Sequence, residues 1–315
     1  MTTLAQYLED SSAQPGVAQT VLALGEAALV ISDLLRYRGM ASVSPTGINV
    51  QGETQKPMDV FSNNEIIERL AAVPHVAFAV SEEVEDVIAL NGQGTLGVLF
   101  DPLDGSSNID TCLSVGTIAS IVPALNGQYG PIEGTQQLAA LYFIYGPSTQ
   151  MVLTLNGDVA IFMLEKTGSF TLVQCGLKIP GNGAEYAVNT SRRHYWDAPF
   201  LKAVEHLELG KEGFFGRQLS MRWTGSMVAD VHRVLTRGGL FMYPVDSGNE
   251  VSGGRLRLLY EGLPIALIIE NAGGLATDGR KRLLEIDVTH PHQRVGLIVG
   301  SRLDALNFAV LVQQP

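Results

Sequence analysis

Cysteine is almost missing from this chain of 315 residues: only Cys112 and Cys175 occur. A disulfide framework is thereby excluded, and a chain this long does not need one. Both thiols are expected to be reduced, small core residues. Positive charge is also scarce, with 21 Lys and Arg against 32 Asp and Glu and a net charge of −11. That balance argues against nucleic acid or an anionic membrane surface as the main partner. An acidic chain that binds an anion must gather its few cations locally or recruit metal ions. The 6 histidines are dispersed, without HExxH spacing and without a His/Cys cluster, so zinc is not expected. No apolar run reaches the roughly 20 residues of a membrane span, and Met1 to Gln14 lacks the basic-then-apolar order of a signal peptide. The expectation is a soluble, cytoplasmic protein. Only 17% of residues are charged and 46% are apolar, so a sizeable core forms and disorder is not expected. The length suits one large domain or two intimately packed lobes.

Apolar positions at helical spacing (Val21, Leu24, Ala28, Ile31, Leu35) predict a helix over Val17 to Arg38, after Pro15-Gly16 and before Gly39. Ala41 to Pro57 is polar and reads as a long loop or short strand containing Gly52-Glu53. Asp59 opens a second helix, with Ser62-Asn-Asn-Glu65 read as a capping box. Val76 to Val80 is a buried strand ending in Ser81-Glu82-Glu83. Val87 to Leu90 and Thr95 to Phe100 are strands flanking Asn91-Gly-Gln-Gly94, read as a hairpin turn. Val115 to Val122, Leu138 to Tyr145, Met151 to Leu155 and Val159 to Leu164 continue the strands, the last two joined by Asn156-Gly157-Asp158, a strong hairpin signal. The middle of the chain is therefore strand-rich and largely antiparallel. After Gln174 strands alternate with helices, which suggests an α/β lobe. Pro180-Gly-Asn-Gly183 marks the boundary between residues 1–180 and 181–315.

One run organises the chain: Leu96-Gly-Val-Leu-Phe100-Asp101-Pro102-Leu103-Asp104-Gly105-Ser106-Ser107-Asn108. An apolar strand ends in two aspartates that can aim oxygens at one hard cation. Gly105, Ser106 and Ser107 then offer N–H groups and hydroxyls to an anion. Cation and anion sites in one turn describe a phosphate held against metal ions. Other signals are weak one at a time. Glu82-Glu83 reads as a solvated acidic loop or as metal ligands, Asp59 as an acid at a helix start, and Glu261 as an acid at a strand-like end. Gly225-Ser226 begins a helix and suits an anion or an ordinary cap. Arg222, Arg255 and Arg257 are solvated cations or a second phosphate clamp. Asp230 and His232, two apart on that helix, point different ways and are read as structural.

Together these motifs resemble the class I fructose-1,6-bisphosphatases of the lithium-sensitive, metal-dependent phosphatase superfamily. Asp101-Pro-Leu-Asp104-Gly-Ser-Ser-Asn-Ile-Asp110 carries the signature. Met58-Asp59-Val-Phe-Ser-Asn, Ser81-Glu82-Glu83, Gly225-Ser-Met-Val-Ala-Asp-Val-His-Arg233, Phe241-Met-Tyr243-Pro, Leu256-Arg-Leu-Leu-Tyr-Glu261 and Ala272-Gly-Gly-Leu-Ala-Thr277 extend it over nearly the whole chain. The resemblance implies a layered α-β-α-β-α sandwich of α+β / α/β class, its N-terminal lobe carrying a large mostly antiparallel sheet and its C-terminal lobe α/β. The active site would lie between the lobes. It implies Mg²⁺-dependent (or Mn²⁺-dependent) removal of the 1-phosphate of fructose 1,6-bisphosphate, with two to three ions per subunit, in a homotetramer. Glu82, Asp101, Asp104, Glu261 and the Leu103 carbonyl would hold metal, with Glu53 on a mobile third ion. Glu83 and Asp59 would act on the attacking water. Asp104, Gly105, Ser106 and Ser107 would surround the 1-phosphate and the sugar's reacting end. Asn189, Tyr243 and, from a neighbouring subunit, Arg222 would hold the 6-phosphate, while Met227 and Arg255 line the sugar.

The chain departs from the family at the distal phosphate. Glu53 stands for an aspartate, Trp223 and Arg192 for tyrosines, and Arg255 for a lysine. Sedoheptulose 1,7-bisphosphate is thus an alternative or second substrate, and a catalytically silent sugar-phosphate sensor is the alternative of another class. Pro15-Gly-Val-Ala-Gln19, Thr95-Leu96 and Pro123 replace the animal-type AMP-binding residues, so AMP is expected to inhibit poorly. Leu125 to Gln137 carries no cysteine, so thioredoxin control is not expected.

Overall fold

The computed structural model describes residues 1–38, 47–48 and 54–314. Among them, the chain divides into two compact units. The first holds Met1–Ile132, Gln136–Leu177 and Ser226–Ala229; the second holds Glu133–Thr135, Lys178–Gly225 and Asp230–Pro315.

In the first unit, α1 (Leu4–Asp10), α2 (Pro15–Arg38) and α3 (Pro57–Ala71) accompany an eight-stranded sheet. Its strands are β3 (Val76–Ser81), β4 (Ile88–Ala89), β5 (Leu96–Asp104), β6 (Val115–Pro123), β7 (Ala139–Tyr145), β8 (Thr149–Leu155), β9 (Asp158–Leu164) and β10 (Phe170–Gln174). The spatial order is β10-β9-β8-β7-β6-β5-β3-β4, antiparallel except for β3 beside β5. A separate two-stranded pair joins β1 (Gly47–Ile48) to β2 (Thr54–Gln55). Val21, Leu24, Ala28 and Ile31 of α2 share one core with Leu141, Phe143, Met151 and Leu153 of the sheet. This packing explains why α2 is so apolar. Pro15–Tyr37 is long and apolar enough to cross a membrane, contrary to the sequence expectation: an 18-residue stretch of it has a mean hydropathy of 1.5, and 56% of that stretch is buried within the protein.

The Asn156-Gly157 turn joins β8 and β9 as expected, both residues taking positive φ (52° and 80°) as a tight hairpin requires. The hairpin expected around Asn91 to Gly94 does not form. β4 pairs antiparallel with β3, while β5 pairs parallel on the other edge of β3, so β3 lies between the two presumed partners. The Ser62 capping box is likewise corrected: α3 begins at Pro57, and Ser62 is buried inside it. Cys112 and Cys175 are free but exposed, not core residues.

In the second unit, five strands run in the order β12-β11-β13-β17-β15: β11 (Glu185–Val188), β12 (Ser220–Met221), β13 (Leu240–Tyr243), β15 (Leu275–Thr277) and β17 (Leu297–Gly300). β11 is parallel to β12 and β13, and β17 is antiparallel to β13 and β15. α4 (Ala198–Glu208) and α7 (Arg302–Val312) supply Phe200, Val204, Leu207 and Phe308 to a core with Tyr186, Val188, Leu240, Met242 and Ile298. α5 (Met227–Arg237), α6 (Leu263–Asn271) and the short pair β14 (Leu256–Arg257) and β16 (Arg294–Val295) complete the elements.

Candidate active site

β5 delivers the central turn. All nine of its residues are buried. Pairing with β6 slips between Asp101, opposite Ile118, and Asp104, opposite Gly116. Pro102 has no N–H for the ladder, and the Thr117 hydroxyl donates to its carbonyl at 2.9 Å instead. The Leu103 N–H donates to Asp101 Oδ1 at 2.9 Å, closing an Asx turn. Carboxylate oxygens of Asp101 and Asp104 thereby come within 4.8 Å of each other, and both residues are buried. Two buried carboxylates this close repel unless a cation or protons intervene. An all-oxygen donor set of this kind fits a hard divalent cation.

Asp104 is held by the start of α5. Its Oδ2 accepts from Ser226 Oγ at 2.6 Å and from the Val228 N–H at 2.8 Å, and its Oδ1 accepts from the Met227 N–H at 3.1 Å. Burial still raises its pKa above the ordinary value, outweighing these three donors. The helix start that read as either a cap or an anion site is both: Ser226 Oγ accepts from the Ala229 N–H at 3.3 Å, and the anion is the chain's own Asp104. Met227 is buried at this contact. Gly105 turns the chain out with φ +73°, and a Cβ there would stand 2.5 Å from Ser226 Cβ. Ser106 and Ser107 follow on a short 3₁₀ turn, Ser106–Thr111.

Asp59, third residue of α3, accepts from the Lys56 N–H at 2.7 Å and is 3% exposed. Burial, seconded by the nearby negative charge of Glu83, pushes its pKa up to about 6 against the opposing hydrogen bonds. Glu82 and Glu83 leave β3 half-buried. The Glu82 N–H donates to the Phe100 carbonyl at 3.2 Å, and the Glu83 N–H to Ser81 Oγ at 3.2 Å. Sequence reasoning missed Lys56. Its Nζ donates to the Ser106 carbonyl and to Asp110 Oδ1, both at 3.1 Å, so it ties the entry of α3 to the turn carrying the serines. A lone lysine in a polar stretch gives no local signal of such contacts. Glu53 lies outside the described residues.

In the second unit, β12, β11 and β13 run parallel, and their C-terminal ends carry Arg222, Asn189 and Tyr243. Ligands commonly bind at such ends. Asn189 Oδ1 accepts from the Ser191 hydroxyl at 2.6 Å and the Ser191 N–H at 3.2 Å. Trp223 lies parallel to Phe241 (centroids 6.0 Å apart, 3°) and tilted on Tyr243 (5.9 Å, 51°). Arg192 forms a bidentate pair with Asp246, and Arg222 and Arg255 are exposed. Glu261 is not at a strand end: it sits in a buried π-turn, Leu258–Gly262, where its Oε2 accepts from the Arg257 N–H at 2.5 Å. Such turns recur at functional sites. Asp230 caps the Thr224 N–H at 3.0 Å, and burial pushes the His232 pKa down to about 4.

Two family models match the chain: "Fructose-1-6-bisphosphatase, N-terminal domain" over residues 3–175 and "Fructose-1-6-bisphosphatase, C-terminal domain" over residues 179–313. The fructose-1,6-bisphosphatase class 1 of Acinetobacter baumannii is 43% identical over 309 residues, covering 95% of this chain and 96% of that protein. That of Psychrobacter cryohalolentis is 42% identical over 311 residues, covering 96% and 95%. The crystal structure of Leishmania major fructose-1,6-bisphosphatase in holo form matches with a TM-score of 0.93 at 34% identity, over 99% of both chains.

Proposed function

The chain belongs to the class 1 fructose-1,6-bisphosphatase family, and from that premise we propose how its own residues carry out the hydrolysis of fructose 1,6-bisphosphate to fructose 6-phosphate and phosphate. The observation that carries this reading is the buried Asp101–Asp104 pair at the exit of β5, followed at once by the Gly105 turn and its serines.

Asp101, Asp104, Glu82, Glu261 and the Leu103 carbonyl are the residues that would hold Mg²⁺ or Mn²⁺, with Glu53 for a third ion. When bound, the metal neutralises phosphate oxygens and acidifies water. Asp59 and Glu83 accept the proton of the attacking water. Burial of Asp59, seconded by the charge of Glu83, raises the Asp59 pKa to about 6, in the range that suits a general base. Gly105, Ser106 and Ser107 orient the 1-phosphate, and Lys56 steadies that turn through the Ser106 carbonyl. Asp104, fixed by three donors from α5, faces the leaving oxygen. Asn189, Arg192, Trp223 and Tyr243 receive the 6-phosphate, with Arg222 contributed by a neighbouring subunit of a homotetramer, while Met227 and Arg255 line the sugar. The setting is cytoplasmic.

AMP is a poor inhibitor in this reading. Pro15 to Gln19, Thr95-Leu96 and Pro123 stand in place of the residues that the animal-type enzymes use for AMP, and Gly16 packs closely, since a Cβ there would lie 2.8 Å from His75 Cγ and 3.1 Å from Leu96 Cδ1.

The test is phosphate release from fructose 1,6-bisphosphate with and without Mg²⁺, in the wild type and in Asp101→Asn. The variant should lose ~10²–10³-fold in turnover, the scale of removing one electrostatic stabiliser, with its melting temperature preserved. Full Mg²⁺-dependent activity in the variant would overturn the assignment.

A further inference from the structure

Arg192 is held more firmly than a surface arginine at a ligand site needs to be. Its Nε donates to Asp246 Oδ2 at 2.6 Å and its Nη2 to Asp246 Oδ1 at 2.5 Å, while the Asp246 side chain is fully buried. The guanidinium carbon lies 4.9 Å over the Tyr195 ring. Beneath it, Gly248 leaves the room, since a Cβ there would come within 2.7 Å of Nη2.

Asp246 is itself pinned on both sides. Its Oδ1 accepts from the Gly248 N–H at 3.0 Å, and its own N–H donates to Asn249 Oδ1 at 2.8 Å. The Ser247 hydroxyl and N–H both donate to the Tyr195 carbonyl, at 3.0 and 3.1 Å, closing this loop onto the 3₁₀ turn that carries Arg192. One edge of the guanidinium is thus consumed. Nη1 and the second proton of Nη2 form the edge left for a ligand, in a geometry fit for two phosphate oxygens.

We infer that Asp246 is the positioning residue for Arg192, and that this pair sets the preference for substrates with a second, distal phosphate. The inference rests on the reading of Arg192 as a distal-phosphate residue. Because a buried carboxylate offsets its charge, the clamp recognises by direction, through hydrogen bonds at short range. An unpaired arginine would lose side-chain entropy on binding and attract any anion from afar.

The experiment compares fructose 1,6-bisphosphate with fructose 1-phosphate, which has the same scissile group and no distal phosphate. The enzymes are the wild type, Arg192→Gln, Asp246→Ala and the double variant. The ratio of kcat/KM for the two substrates should fall about 10- to 100-fold in each single variant, the scale of a charged hydrogen bond, and no further in the double. The fall should come mainly from kcat/KM for fructose 1,6-bisphosphate, with a smaller change for fructose 1-phosphate. If Arg192→Gln lowers the ratio and Asp246→Ala does not, the positioning role is wrong. An unchanged ratio in Arg192→Gln removes the distal-phosphate reading itself. Equal losses on both substrates would mark a folding effect and also overturn the inference. Should Asp246→Ala not fold, Asp246→Asn, which keeps the volume and loses the charge, is judged by the same criteria.

Discussion

Asp59 and Asp104 show two ways of accommodating a buried carboxylate. Asp104 receives three hydrogen bonds at the start of α5, two from backbone N–H groups and one from the Ser226 hydroxyl, and these oppose the upward shift that burial imposes. Asp59 has one backbone donor and a like-charged neighbour, and its pKa sits near 6. For an acid raised on folding, the neutral form is favoured. Its stabilising contribution is complete below the ordinary aspartate pKa and is lost as pH rises through about 6. In metal-free protein, Asp59→Asn should therefore gain on the wild type as pH rises, by on the order of 2–3 kcal/mol above neutrality, while losing activity. Parallel thermal melts at pH 4 and pH 8 measure this. A difference between variant and wild type that does not change between the two would show that Asp59 carries no such penalty. Lys56 belongs to the same scale: its partners, Ser106 and Asp110, are 50 and 54 residues away, a separation that no spacing rule anticipates.

Elements were legible where local chemistry alone sets them. The Asn156-Gly157 hairpin forms because both residues tolerate positive φ, and the run through Asp101 to Ser107 turns as Pro102 and Gly105 dictate. The Asn91 to Gly94 turn carries similar residues, yet β3 intervenes between its flanking strands, since parallel pairing of β3 with β5 buries more apolar surface than a two-residue β4 can. The π-turn holding Glu261 was equally hidden, because its apolar residues suit a strand as well as a buried helix. At the start of α2, the run Pro15 to Gln19 that replaces the animal-type AMP-binding residues gives an element-scale prediction. AMP added to a steady-state assay should leave the rate essentially unchanged, and His75→Ala alone should not create inhibition, because the contact residues at 95–96 and 123 differ as well. Potent AMP inhibition of the wild type would refute this.

At the scale of the whole molecule, the residues proposed for the reaction are divided between the two units. The first carries Glu82, Asp101, Asp104 and the turn proposed for the scissile phosphate; the second gathers Asn189, Arg222 and Tyr243 at the ends of three parallel strands. Arg222 is exposed and donates to the carbonyl of its neighbour Met221 at 2.9 Å, an arrangement compatible with service to another subunit's site. If it acts in trans, mixing the weakened Arg222→Ala with the inactive Asp101→Asn should restore activity. Hybrid tetramers would then hold sites with an intact metal turn and a donated arginine. Activity that stays at the sum of the two parents after subunit exchange, checked by sizing, would rule the arrangement out.

By itself the sequence determined the central turn, because Asp101 to Ser107 are shaped by neighbours in the chain: a proline that breaks the ladder, a glycine that permits φ +73°, and two carboxylates brought within 4.8 Å. Tertiary structure alone decided what holds those groups. Asp104 is fixed by a helix that begins 123 residues later, and Arg192 by an aspartate 54 residues away. Contacts made across the sheet depend on which strands adjoin, and that choice follows from burying apolar surface over the whole fold, which leaves no periodicity or motif at the polar residues it brings together.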